Sequence, residues 1–447
     1  MDFKVVDKKQ ETYSACKVCL TRPTRNAKPF IGLLLGFCLC SLISNTAAQT
    51  VLQAYIDSAL KNNHSLKVYQ LQAKALEEKI KPSQIIDDPM IYGGIMNLPT
   101  NLSFSEDMMT MKQIGIQQNF SVRRKYNLRR AIAQKEFEMS SYEVKAQQLS
   151  LTKEVKQQYY ELYAQNKSIE TAKSSIHIME SYLDITKTRY SSGQGPQQDI
   201  FKAELQIIQM KNELLKLQNE RESRIATFNS LLARNQVDSV IVPTKIIFHT
   251  IHWTLQSLTN TAQTNNPILL LAKKSLSKDS TAYLLTKTTK TPDFNAGVWY
   301  GQRQANMPDG TKARDMIGLS FGLTLPIYAK QKQSPLIHAP AIDIQKEQAQ
   351  LAKTKNELEL QIHHAFIEAN NNERLINLYE KQLIPLATES LQTGMIGYQQ
   401  NKIDFMALID GFISLYNHRL QHDQAIANYL KTLAELEMLT GQNLIEE

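Results

Sequence analysis

The 447-residue chain has four cysteines, and all of them (Cys16, Cys19, Cys38 and Cys40) precede residue 41. Beyond that point no disulfide, thiolate metal site or cysteine nucleophile is available. Cys16 and Cys19 form one C-x-x-C, which without a second pair is not a metal motif. No apolar run of about 20 residues follows Ala48, so no helix is expected to cross a membrane, and any membrane segment must be a strand. There is no Gly-rich phosphate loop, G-x-S-x-G or H-E-x-x-H, so neither an enzyme nor a cofactor is expected. An excess of one charge is largely missing too. Lys and Arg number 51 against 43 Asp and Glu, and residues 1–48 hold seven basic and three acidic side chains of that total. The near-balanced remainder argues against nucleic acid as a partner.

Residues 1–48 read as a leader with a secretory signal. The stretch 29–48 follows Arg22, Arg25 and Lys28, has its apolar core over Ile31–Ile43 and ends in small residues, which predicts cleavage after Ala48. Neither Cys38 nor Cys40 has the small preceding residue that a lipoprotein cleavage site needs, so a lipid anchor is disfavoured.

Glycine and proline are both missing from Ser121 to Ser192. Within this run Val155, Leu162, Ile169, Ile176, Leu183 and Tyr190 recur every seventh residue, the spacing of a helix–helix seam. One helix over Asn127–Tyr190 would span roughly 96 Å at 1.5 Å per residue. Such a rod needs other long helices beside it. Gly193, Gly195 and Pro196 then predict a left-handed cap and a fresh helix start. A returning helix follows, with Leu214, Leu217, Ile225, Phe228 and Leu232 on its apolar face.

Leu52-Gln53 with Asn62-Asn63 recurs as Leu255-Gln256 with Asn265-Asn266, and Ala59 recurs as Ala262. Two tandem repeats are expected, 49–242 and 243–447. Each would hold a strand region (about 88–120 and 292–327) followed by a helical hairpin (about 127–234 and 341–440). In the second, Ile317, Leu319, Phe321, Leu323, Leu325 and Ile327 alternate with small or polar residues, as in a tilted transmembrane strand. Phe294, Ala296, Val298 and Tyr300 alternate likewise. In the first, Ile114, Ile116 and Phe120 share a face with Lys112. Four strands cannot close a barrel, and open edges are not tolerated in lipid. Several copies of the chain must therefore complete the wall.

This pattern resembles the TolC-like outer-membrane efflux family over essentially all of the chain after the leader. The resembling residues are the paired Leu-Gln…Asn-Asn openings and two turns, Tyr190-Ser-Ser-Gly193 leading to Asp199 and Tyr398-Gln-Gln-Asn401 leading to Asp410. Asn401 stands where the family has Gly, and Ala407 where relatives often have another acid. The run from Asp88-Pro-Met90 through Met96 and Pro99 to Met109-Thr-Met-Lys112 resembles the heavy-metal branch of the family.

The resemblance implies a homotrimer that closes a twelve-stranded β-barrel in the outer membrane of a Gram-negative bacterium. It also implies a long α-helical coiled-coil tube across the periplasm, a periplasmic adaptor (membrane fusion) protein and an inner-membrane RND-type transporter. The function implied is that of a passive exit duct for heavy-metal cations. Drugs or polypeptides are rival cargoes, and a non-conducting coiled-coil scaffold is the rival of another class. By resemblance Asp199 and Asp410 are candidates for a periplasmic gate, and Tyr190, Gly193, Tyr398 and Asn401 for the tip that meets the adaptor. An acid near a helix start is also explained by the helix dipole, and a turn residue by capping.

Other residues point to less. His418 and His422, with His363-His364, share helical spacing but have no third ligand in register, so solvated helix positions are expected. Met90, Met96, Met108, Met109 and Met111 read as gap-fillers at a barrel-to-helix junction or as contacts for soft metal ions. Arg123, Arg124, Lys125, Arg129 and Arg130 read as lipid-headgroup contacts or as a solvated cluster. Pro385 predicts a kink in the second long helix.

Overall fold

The computed structural model describes residues 51–246 and 253–444; the leader and signal expected over 1–48 lie outside them. The first half runs as α1 (51–62), α2 (His64–Glu78), β1 (Met90–Met96), β2 (Met111–Phe120), α3 (Arg123–Ser191) and α4 (Gln197–Leu231). The second half repeats that order as α5 (Leu255–Asn265), α6 (Pro267–Lys287), β3 (Asp293–Arg303), β4 (Met316–Thr324), α7 (Ser334–Leu378), α8 (Ile384–Gln399) and α9 (Phe405–Thr440). No described helix is long and apolar enough to cross a membrane.

α3 is the predicted rod, extended slightly at both ends to 69 residues, or about 100 Å at 1.5 Å per residue. The heptad reading holds only over its middle. Val155, Leu162 and Ile176 are buried, but Tyr190 is 46% exposed and Arg189 faces inward in its place. A strict seven-residue stripe drifts by about 20° per heptad on a straight helix, so it leaves the contact face after several turns. α4 ends at Leu231, eleven residues before the Gly/Pro-free run from Gln197 to Val242 does, because Ala233, with a φ of 52°, breaks the helix. Pro196 is its N-cap residue in extended conformation and does not lie in the first turn.

The repeated asparagines have a shared physical task. Asn63 caps α2 by accepting from Leu66 N–H, and its amide donates to the Leu231 carbonyl at the end of α4. Asn266 caps α6 by accepting from Ile268 and Leu269 N–H, and its amide donates to the Leu439 carbonyl at the end of α9. One side chain thus satisfies the orphan donors of one helix and an orphan acceptor of another. Ala59 and Ala262, both with no exposed surface, leave room for this crossing.

The four strands form one antiparallel sheet in the order β1-β2-β3-β4, and the halves are joined by the ladder from Met111↔Arg303 to Phe120↔Phe294. One face is apolar: Ile91, Ile116, Val298 and Leu319 share a row, as do Phe120, Phe294 and Leu323. Lys112 lies on this face at its loop end, where its ammonium sits 4.9 Å from the Phe104 ring centroid. The opposite face alternates large residues with glycine. Tyr92, Gly115, Trp299 and Gly318 form one such row, and a Cβ at Gly318 would lie 2.1 Å from the Trp299 ring. The aromatic lies over the glycine, which leaves the room its ring occupies.

Side-chain bridges reinforce the joint between halves. Lys125 bonds the Asp293 carboxylate at 2.6 and 2.7 Å, and Lys156 reaches buried Glu437 at 2.5 Å. Lys135 donates to Ser277 and to Thr281; burial, and then Lys274, hold its ammonium below the ordinary lysine range.

α7, a single π-turn (Tyr379–Leu383) and α8 continue into one another through helical dihedrals. The expected interruption at Pro385 is a π-turn over Tyr379–Leu383, which ends two residues before the proline. Ile384 N–H bonds Tyr379 O, five residues back, so a wider turn precedes a ring that would clash with a carbonyl four residues away. The helix starts at Ser334, earlier than expected, because Pro335 fits its first turn and Pro340 is carried inside it.

Candidate functional site at the two helical tips

The α3–α4 and α8–α9 hairpins end in the same turn. Gly193 (φ 69°) and Asn401 (φ 61°) occupy the left-handed position. Gln194 N–H bonds Arg189 O at 2.8 Å and Lys402 N–H bonds Gly397 O at 2.8 Å, each closing the last turn of its helix. Asp404, not Asp410, caps α9 by accepting from Ala407 N–H at 2.8 Å. Ile403 lies against Gly394 and Gly397, where an added Cβ would come within 3.5 Å of it.

The two tips are tied to one another. Asp199, in the first turn of α4, is buried and accepts a hydrogen bond from the Tyr398 hydroxyl at 2.9 Å. Burial, and then the Asp199 carboxylate, push the Tyr398 phenol up to about 12. Arg189 was not among the expected residues, yet it is the hub. It is buried, its guanidinium lies 4.3 Å from the Tyr398 ring centroid, and it donates to the Tyr398 carbonyl, the Gln194 carbonyl and Asn401 Oδ1. Asn401 therefore does two things, since it adopts positive φ and supplies an acceptor that glycine would lack. The only signal for Arg189 in the sequence is a basic residue in a last helical turn, which the helix dipole already explains.

Of the expected tip residues, Tyr398 and Asn401 join this network with Asp199, while Gly193 shapes the turn beside it. Tyr190 is exposed at its side, and Asp410 is exposed on the second turn of α9. Beneath the network, Met179, Ala203, Ile207, Phe405, Leu408 and Phe412 form an apolar core that anchors both hairpins. The arrangement has no nucleophile paired with a base; what it can do is hold two hairpins together through a few exchangeable polar bonds.

The other candidates lie elsewhere. His418 Nε2 is 3.3 Å from Ser414 Oγ, and His422 Nδ1 is 3.2 Å from Asp423 Oδ1. Among the described residues no three His, Cys, Asp or Glu side chains converge as a metal site. The methionines correct an expectation. Met96 pairs with Met111 at the hairpin-loop end of the sheet, beside Met108 and Met109, and only Met90 is at the helix end. The loop between the strands folds back onto the β1 end through Asn97 and Thr110, which places these side chains there.

Comparison with known proteins follows the fold. The chain is similar to the outer membrane protein VceC of Vibrio cholerae, with 14% identity and a TM-score of 0.75 over 90% of this chain and 98% of that one. It is similar to the open state of the MtrE outer membrane channel of Neisseria gonorrhoeae (14% identity, TM-score 0.72, 88% and 89% covered). It is also similar to CusC, a transmembrane channel (12% identity, TM-score 0.73, 88% and 92% covered). No curated protein matches the sequence. The described chain thus has the fold of these outer-membrane channels, and within it residues 55–234 match the family described as Outer membrane efflux protein.

Proposed function

We propose that the chain is one protomer of a passive outer-membrane exit duct in a tripartite efflux system. The observation that carries this reading is the sheet: four strands, apolar on one face, with β1 and β4 as edges that no other described strand covers. Uncovered edges cannot stand in lipid, so neighbouring copies must supply the missing strands. A homotrimer closing twelve strands satisfies this. The helices would then form the periplasmic tube, ending in the tips that a periplasmic adaptor meets, and an inner-membrane RND-type transporter would supply the energy.

In this reading Asp199 and Asp410 line the periplasmic gate. Asp199 is held by Tyr398, while exposed Asp410 is free to face the axis, where like charges from three copies would favour cations. Tyr190, Gly193, Tyr398 and Asn401 form the adaptor-contact tip. Heavy-metal cations are the cargo we favour, from the resemblance in the Asp88–Lys112 segment.

The test is single-channel recording of the purified full chain in planar bilayers, beside outer-membrane fractionation and heat-modifiable migration on gels. Conductance from a detergent-requiring oligomer supports the duct. A water-soluble monomer without conductance refutes it. A deletion strain sensitive to metal salts but not to drugs supports the cargo, and the reverse pattern overturns it.

A further inference from the structure

The two rims of the sheet differ in charge. At the rim where strands meet helices, segments 79–89, 121–130, 287–293 and 325–335 hold eleven Lys or Arg and three Asp. At the hairpin-loop rim, segments 97–110 and 304–315 hold two basic residues and four acidic ones. Two of the three helix-side acids are in use: Asp293 pairs with Lys125, and Asp87 lies 3.9 Å from Arg129. Arg123, Arg124, Lys290, Lys330 and Lys332 are exposed, with no carboxylate paired to them among the described residues.

Apolar surface lies directly beside these charges. Leu325 and Ile327 continue the exposed face of β4 past its last ladder pair, exposed Tyr328 follows them, and Ile85 and Ile86 are exposed before β1. Apolar side chains, then a tyrosine, then unpaired cations match the order that a bilayer presents from its centre outwards: acyl chains, interface, phosphate.

We propose that this rim is a belt that binds anionic phospholipid headgroups of the adjoining leaflet. Arg123, Arg124, Lys290, Lys330 and Lys332 contact the phosphates, while Ile327 and Tyr328 sit among the acyl chains and glycerol region. The unbalanced rim needs compensating negative charge once the neighbouring surface is hydrocarbon, and the headgroup supplies it. The proposal rests on the membrane reading above.

The full chain in nanodiscs made from equal parts dioleoylphosphatidylglycerol and dioleoylphosphatidylcholine is released into the gas phase, and retained lipid is counted by native mass spectrometry. Retention of phosphatidylglycerol over phosphatidylcholine by about tenfold is expected. A variant carrying Arg123→Gln, Lys290→Gln, Lys330→Gln and Lys332→Gln should bring the two lipids near parity and keep its single-channel conductance. A control with Lys312→Gln and Arg314→Gln at the opposite rim should keep the preference. Equal retention by the unaltered chain, or an unchanged preference in the fourfold variant, overturns the belt. A chain that neither enters nanodiscs nor conducts instead refutes the membrane reading, and the belt with it.

Discussion

The Tyr398 hydroxyl and the Asp199 carboxylate, 199 positions apart in the chain, share a hydrogen bond of 2.9 Å in a buried site between the two hairpin tips. Tyr398→Phe removes that donor while keeping the ring against Arg189, so it should loosen the tips without unfolding them. A rise of about tenfold or more in the open-to-closed ratio in planar bilayers is expected, since a bond to a charged group contributes about 1.5–3 kcal/mol. Unchanged currents would remove this pair from gating.

The same phenol predicts a pH response. Its folded value lies at about 12, above the ordinary 10 of an unfolded chain. Its contribution to stability is therefore complete below pH 10 and is lost as pH rises from 10 towards 12. Alkaline titration of tip opening should show this loss in the unaltered chain and not in Tyr398→Phe.

Asn266→Ala should lower thermal stability by about 2–4 kcal/mol. It deletes a helix cap, worth about 1 kcal/mol, and strands the Leu439 carbonyl in a buried site, worth a further 1–3 kcal/mol. Asn63→Ala has the same geometry in a less buried place and should cost less; calorimetry of the detergent-solubilised protein would compare them.

Lys156→Met leaves Glu437 buried with its charge opposed, among the described residues, only by the Leu444 N–H at 3.2 Å. Breaking a buried pair in this way costs about 3–5 kcal/mol. Lys156→Met combined with Glu437→Leu should recover most of that loss in the same melting experiment.

Gly318→Ala places a methyl 2.1 Å from the Trp299 ring and should block sheet formation, read as loss of the heat-modifiable band. Adding Trp299→Ala should restore part of it. If Gly318→Ala migrates as the unaltered chain does, the tryptophan over it is not a constraint on the sheet.

Long elements were the legible part of the sequence. A run without glycine or proline and a two-residue alternation each report on one element, and α3 and β4 follow them closely. The recurring Asn63 and Asn266 mark two helix starts with the same pair of bonds. What stayed hidden depends on pairs far apart in sequence. Arg189 gains its role from Tyr398 and Asn401, more than 200 positions away. The fate of Tyr190 turned on helical drift accumulated over five heptads, and the methionines on how a loop folds back to its strand.

The ladder between β2 and β3 makes the duplicated halves a single sheet in which ten consecutive residues of each strand are matched. Prying them apart inside hydrocarbon would strip partners from backbone amides that have no water to turn to. In the proposed duct the sheet is in consequence the stiff end of each protomer. Motion that widens the proposed passage would then begin at the far end of the rods, where the polar bonds around Arg189 and the apolar core beneath them must shift.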